Sequence, residues 1–322
     1  MAEIGHSIEY ASDLLNSGEI VAFPTETVYG LGGNALDSGV VAKIFAIKNR
    51  PSFNPLIVHC ASYKKIYNYV KDVPKEVELL AEHFWPGPLT ILLPKSKLIP
   101  DIVTAGLDKV AVRCPSHKIA QQLLNNISFP LAAPSANPFG YVSPVTAKHV
   151  QDELGNKIKF ILDGGTSNVG IESTILGWEN NIPTLFRLGG ITVEQIQKVI
   201  GRIDIHKKST VILSSGQLAS HYSPRKKFII GDIRKLAKRY QNMKIGLLSF
   251  KDEYADIEAS ERFILSTNGD TFEAARNIFT ALRQFDQSNV EIVLGEKVPN
   301  HGLGSAINDR LNRAVTSKKY LF

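Results

Sequence analysis

The sequence predicts an α/β fold divided into two domains. Short apolar runs of strand length alternate irregularly with segments of helical spacing, which fits a sheet with helices better than a sandwich or a bundle. The chain has 322 residues, too many for one ordinary core. Its character also changes over residues 203–227, a polar Ser- and Lys-bearing stretch, after which strands and helices alternate more cleanly.

The elements follow in order. A helix is expected over 7–16, ended by Gly18, and a buried strand over 20–23. Residues 24–34, rich in Gly and Thr, read as a loop. Asp37 or Ser38 can cap a helix that reaches Lys48, where Pro51 stops it. Strands are predicted over 56–59, 90–93, 110–114, 131–133, 160–162, 173–176 and 184–187, and helices over 75–84, 117–125, 147–153 and 193–199. The polar stretch carries one short apolar strand, 211–213. Beyond it come strands at 228–230, 244–249 and 290–294 and helices at 234–240, 271–284 and 305–315, a small βαβ-type unit. The expected division is therefore a domain over 1–203, a linker over 204–227 and a smaller α/β domain over 228–322.

Composition narrows the class. Hydrophobic residues make up 43% and charged residues 21%, which marks a globular chain. The net charge of +6 suits a protein that handles anions such as nucleotides or RNA, and equally suits many ordinary enzymes. Two cysteines, Cys60 and Cys114, supply neither a disulfide framework nor a zinc-binding pair. Residues 1–10 lack the basic and apolar regions of a signal peptide, and apolar runs such as 89–93 are too short to span a bilayer. An intracellular, reducing compartment is the expectation.

Familiar nucleotide and hydrolase signatures are missing. There is no phosphate-binding Gly-x-x-x-x-Gly-Lys-Ser/Thr loop and no His-Glu-x-x-His. Gly30-Leu31-Gly32-Gly33 and Gly302-Leu303-Gly304 are fragments of a dinucleotide fingerprint and read as turn glycines. Residues 165–169 just miss a nucleophile elbow.

Five segments carry polar groups at strand ends. Phe23 to Gly32 hands Thr25, Glu26, Thr27 and Tyr29 to a Gly-rich turn; it is either a capped turn or a cradle for an amino acid or phosphate. Lys48 and Arg50 end a helix, where they either complement its dipole or grip an anion. Arg113 lies in an apolar strand, a costly place for a cation without an anionic partner. Ser135 and Asn137 leave a strand between two prolines, followed by Ser143; turn chemistry alone would also select such residues. Ser173 opens a strand and Arg187 ends the next. No Cys-His or Ser-His-Asp set accompanies them, so the inventory suits binding and orienting an anionic substrate rather than covalent catalysis.

These segments, in this order, closely resemble the YrdC-like family of threonylcarbamoyl-adenylate synthases over residues 7–190. Trp85 to Thr90 and Gly170 to Ile175 also look like family motifs. The tail from Gly302 to Leu311, with His221-Tyr222-Ser223-Pro224 before it, is similar to the long form with an extra C-terminal domain. The resemblance implies a YrdC-like twisted, mostly β, open sheet with helices on one side and a positive cavity, plus a smaller Rossmann-like domain. It implies that L-threonine, bicarbonate and ATP are joined, with Mg2+, to give threonylcarbamoyl-adenylate and pyrophosphate for tRNA modification. A downstream threonylcarbamoyl transferase complex would use the product in the cytoplasm, and direct tRNA contact is left open. By the same resemblance Lys48 and Arg50 are catalytic, and Arg50, Asn54, Ser135, Asn137, Ser143, Arg187 and Tyr222 contact ATP. Thr27, His59, Arg113 and Ser173 contact threonine, and no metal ligands are assigned. His59 alone would read as a core histidine. Asn49, Phe139, Leu188 and Ser215 depart from the family's common residues without removing a proposed charge or hydroxyl. An RNA-binding module without catalysis is the competing reading, testable by salt-dependent tRNA binding without pyrophosphate release. A carbamoyl-transfer domain of hydrogenase maturation is disfavoured, since the chain lacks the Cys-x-x-Cys repeats of those proteins.

Overall fold

The computed structural model describes residues 1–206 and 222–315. The expected strand at 211–213, His221 and the departure at Ser215 lie outside them. The chain forms two compact units. The first takes Met1–Phe139, Pro144–Asn168 and the described residues from Glu172 to 206. The second takes Gly140–Ser143, Val169–Ile171 and the described residues from Tyr222 onward.

The first unit contains β1 (Glu3–Gly5), α1 (Ile8–Asn16), β2 (Val21–Phe23), β3 (Gly30–Asn34), α2 (Ser38–Lys48), β4 (Ile57–His59), α3 (Tyr63–Ile66), α4 (Glu76–Phe84) and β5 (Leu89–Pro94). It continues with α5 (Asp101–Thr104), β6 (Lys109–Arg113), α6 (Lys118–Asn126), β7 (Leu131–Ala132), α7 (Ala147–Leu154), β8 (Phe160–Leu162), β9 (Thr174–Glu179), β10 (Ile182–Arg187), α8 (Val193–Ile200) and β11 (Asp204–Ile205). Its strands form one mixed eleven-stranded sheet in the order β1-β8-β2-β3-β7-β4-β6-β5-β9-β10-β11.

Side chains alternate across that sheet with period two, so each strand feeds both faces. Ala22, Leu31, Val58, Ile91, Val112, Ile161 and Leu176 point to the larger core, where α2, α4, α7 and α8 bury Val41, Ile44, Val77, Leu80, Val150 and Ile196. Val21, Phe23, Phe160 and Leu162 point the other way, under Ala11 and Leu15 of α1 and Ala120, Leu123 and Leu124 of α6. The resemblance implied helices on one side only. A second pair covers the opposite face, but only over the β1-β8-β2-β3-β7 end. Past β7 that face carries a cluster made of strand residues alone, Ile57, Leu92, Ala111, Ile175 and Phe186.

Local rules account for the helix ends. Asp37 caps α2, its Oδ1 accepting from the amides of Gly39 and Val40, and Thr192 and Gln195 form a capping box on α8. The expected 24–34 loop splits. Its second half is strand β3, and its glycines answer to packing: a Cβ on Gly32 would lie 2.7 Å from the Phe23 ring.

In the second unit lie β12 (Lys227–Ile230), α9 (Ile233–Arg239), β13 (Ile245–Ser249), β14 (Glu261–Ile264), α10 (Thr271–Gln287), β15 (Ile292–Gly295) and α11 (Gly304–Ala314). The four strands are all parallel, in the order β12-β15-β13-β14. All four residues of β15 are buried, as a central parallel strand covered on both faces requires. Strand β14 was not expected; as a half-exposed edge strand it has no apolar run to reveal it.

Candidate functional site

The face beyond β7 gathers the polar side chains. His59 follows Ile57 by two residues, Arg113 follows Ala111, Thr90 precedes Leu92 and Ser173 precedes Ile175, so all four share the face of the strand-only cluster. Strand register aligns them further, with His59 opposite Arg113 and Arg113 opposite Thr90. Arg187 reaches this face only because the β9–β10 register slips between Leu185 and Arg187, which sets Arg187 opposite Ile175. A regular ladder would have turned it to the other side.

These side chains are buried and bonded to one another. The Arg113 guanidinium donates to Thr27 Oγ1 at 2.9 Å and pairs with Glu26 Oε1 at 2.7 Å. Glu26 is held in turn by the Ser116 amide on its other oxygen, at 3.0 Å. Arg187 Nη2 donates to Ser173 Oγ at 3.0 Å and its Nε to the Ser173 carbonyl at 3.0 Å. Ser173 Oγ also lies 2.7 Å from Thr90 Oγ1. His59 rests edge-on to Phe23, with ring centroids 6.0 Å apart. Burial, then the neighbouring Arg113, pushes its pKa down to about 3, so the imidazole is neutral.

A second group sits around the end of α2. Lys48, 1% exposed, donates its ammonium to the Ser135 carbonyl at 2.5 Å and to the Asn137 carbonyl. Burial and the nearby Arg50 hold it well below the usual lysine range. Arg50 donates Nε to the Asn54 carbonyl at 3.0 Å, and Nη2 to Asn54 Oδ1 at 2.7 Å and the Pro55 carbonyl at 2.9 Å. Its guanidinium lies 5.9 Å from the Phe139 ring centroid. Asn54 is fully buried, and its Nδ2 has no hydrogen-bond partner. Asn137 Nδ2 donates to the Pro138 carbonyl at 2.8 Å.

The strand register relates the two groups. Ala133 pairs its amide with the Ile57 carbonyl, so Ser135 lies level with Pro55, four residues before His59. At strand rise that is roughly 13 Å, long enough for a polyphosphate between the groups. Gly30 bridges to Ser135, yet Thr27 touches Arg113, so the 24–28 loop folds back across the sheet. Thr25 Oγ1 ties this fold by accepting from the Thr27 and Val28 amides, at 3.2 Å each.

Two predicted residues lie in the second unit. Ser143 is fully buried there, its carbonyl 3.4 Å from Arg283 Nε. Tyr222 is 1% exposed and stacks on Phe279 with ring centroids 5.5 Å apart. Sequence reasoning noted Glu26 but gave it no role. Its spacing ahead of Thr27 was the available signal, and a cation inside an apolar strand, Arg113, was the reason to seek a carboxylate.

Cations, hydroxyls and carbonyls thus surround the face. Such a site defines an enzyme class that works by positioning anionic substrates and stabilising charge. Two family models match the chain: the first, described as telomere recombination and naming Sua5, YciO and YrdC, covers residues 13–189. The second, the C-terminal domain of threonylcarbamoyl-AMP synthase, covers residues 191–316. The chain belongs to the Sua5/YciO/YrdC family, in its long two-domain form. A threonylcarbamoyl-AMP synthase from Pyrococcus abyssi (strain GE5 / Orsay) is 43% identical over 95% of this chain and 93% of its own. One from Bacillus subtilis (strain 168) is 39% identical over 96% and 92%. The crystal structure of P. abyssi Sua5 complexed with L-threonine, 40% identical, superposes with a TM-score of 0.91 over 98% of this chain and 97% of that one.

Proposed function

We infer that this chain is a threonylcarbamoyl-AMP synthase, which joins L-threonine, bicarbonate and ATP into threonylcarbamoyl-adenylate and releases pyrophosphate. The observation that carries the reading is the row His59, Thr90, Arg113, Ser173 and Arg187 on one sheet face, in a chain 43% identical to such a synthase along its length.

Thr27, His59, Arg113 and Ser173 are the proposed threonine contacts. Arg113 is the natural partner for the substrate carboxylate, with Glu26 holding the guanidinium in plane until it arrives. Neutral His59 adds no charge to compete with it. Arg50, Asn54, Ser135, Asn137, Ser143, Arg187 and Tyr222 are the proposed ATP contacts. In this reading the threonine amine adds to CO2 with loss of a proton, or to bicarbonate with loss of water, and the resulting carbamate oxygen attacks the α-phosphorus as the bond to pyrophosphate breaks. Arg50 and Arg187 offset charge on the phosphate oxygens. Lys48 acts through the loop it holds, since its ammonium bonds the carbonyls on either side of Ala136. Asn54 Nδ2, buried and without a partner, is a donor for a phosphate oxygen.

Among the described residues no cluster of three His, Cys, Asp or Glu side chains forms a metal site. Mg2+ enters the reading as the counter-ion of ATP, where it would offset charge on the phosphates. The product would pass to a threonylcarbamoyl transferase complex acting on tRNA in the cytoplasm. No helix among the described residues is long and apolar enough to cross a membrane.

The test is to mix the protein with ATP, magnesium, threonine and bicarbonate and look for the adenylate by mass spectrometry. Omitting threonine abolishes both the adenylate and the stimulated pyrophosphate release. Salt-dependent tRNA binding without either product would overturn the reading in favour of an RNA-binding module. Arg50→Ala lowers turnover by roughly tenfold to a thousandfold, the loss expected for one transition-state donor; near-wild-type turnover would reject its assigned role.

A further inference from the structure

Helix α10 carries an organised polar face that the proposed chemistry does not use. Arg276, Phe279, Arg283 and Asp286 recur at i, i+3, i+7 and i+10, which aligns them along one side of the helix. Within the second unit, three short segments from earlier in the chain lie against that side. Arg283, 4% exposed, donates Nη2 to the Val142 carbonyl and Nε to the Ser143 carbonyl at 3.4 Å. Asp286 accepts the Tyr141 hydroxyl at 2.8 Å and the amides of Arg225 and Lys226 at 3.0 and 2.9 Å. The Tyr141 ring has two guanidinium groups near it, Arg225 at 4.7 Å and Arg283 at 4.8 Å. Tyr222 lies on Phe279, and the Ser223 amide donates to the Gly140 carbonyl at 2.9 Å. At Gly170 a Cβ would fall 2.3 Å from the Arg276 Cα, so the third segment meets the helix backbone directly.

We propose that this face of α10 is a nucleotide-positioning element: Arg283 and Asp286 fix the main chain that bears Ser143 and adjoins Tyr222, and so set the affinity for ATP without touching it. The proposal rests on the reading that Ser143 and Tyr222 contact ATP. Its physical basis is that a buried guanidinium and a carboxylate, each bonded to main-chain groups, leave those segments little freedom. Ligand groups carried on segments already in place need not be ordered when the ligand binds, and affinity rises accordingly.

The experiment uses the full chain and three variants, Arg283→Met, Arg283→Lys and Tyr141→Phe. ATP dissociation constants are measured by calorimetry, KM for threonine at saturating ATP, and folding by circular dichroism and thermal melting. Arg283→Met weakens ATP binding by about tenfold or more, the cost of hydrogen bonds to a charged group, while KM for threonine stays within about twofold. Arg283→Lys, which can still reach one carbonyl, recovers part of the loss, and Tyr141→Phe weakens ATP binding by a smaller factor. Folded Arg283→Met with wild-type ATP affinity overturns the proposal, as does a parallel loss for ATP and threonine. Where Arg283→Met does not fold, Tyr141→Phe decides by the same two criteria. A wild-type chain that binds ATP but makes no adenylate overturns the proposed function alone, since the ATP constants still read the role of α10.

Discussion

His59 illustrates how one buried side chain ties the site to pH. Its ring nitrogen Nδ1 is 3.2 Å from the Ile57 carbonyl, its ring stands perpendicular to that of Phe23, and burial with Arg113 alongside brings its pKa to about 3. In the unfolded chain an imidazole titrates near 6.5. Between about pH 3 and 6.5 the unfolded state therefore binds more protons than the native state, and acid favours unfolding. The stabilisation is complete above the unfolded value and is lost as pH falls from there towards 3. At pH 5 the His59 contribution is about 2 kcal/mol below that at pH 7. Urea unfolding at both pH values measures it: His59→Gln should lose less stability on acidification than the wild-type chain by about this amount. Equal pH dependence in both proteins would mean that His59 titrates normally in the native state. The sequence could not reveal this, because one histidine at the end of an apolar strand reads the same whether it lines a core or a site.

At the scale of elements, the capped helices were the most legible part. Asp37 at the start of α2, Pro51 after its end and the apolar spacing between them give the helix within a residue. The end of α2 also explains a departure from the family pattern. Asn49 is the C-cap and adopts φ 51° and ψ 43°, left-handed values that Gly reaches without strain and Asn tolerates better than other residues. Asn49→Gly should leave stability nearly unchanged, whereas Asn49→Val should cost about 1–2 kcal/mol, read as a shift in the urea midpoint. A Val variant as stable as wild type would show that the turn relaxes out of the left-handed region. Strand β3 escaped notice because Gly30, Gly32 and Gly33 read locally as a turn, and only the Phe23 ring and the side chains of Ile20 and Val40 explain their absence of side chains. The facing of Arg187 was equally hidden, since a bulge leaves no periodic signal and the residue's role depends on that single slip.

For the whole molecule, the sequence marked the change of character near residue 203 but not how the chain is shared out. Gly140–Ser143 and Val169–Ile171 belong to the second compact unit although they lie far from it in sequence. No local pattern could show this, because their contacts are made with α10, more than 100 residues later. The allocation has a thermodynamic consequence. All four proposed threonine contacts, Thr27, His59, Arg113 and Ser173, lie in the first unit. A ligand stabilises what it binds in the native state, by about 2.7 kcal/mol at a hundred times its dissociation constant. With separate cores for the two units, scanning calorimetry should resolve two unfolding transitions. Threonine should raise the transition of the first unit and leave the other where it stands. Should threonine raise both transitions or neither, the assignment of its four contacts to the first unit would fall.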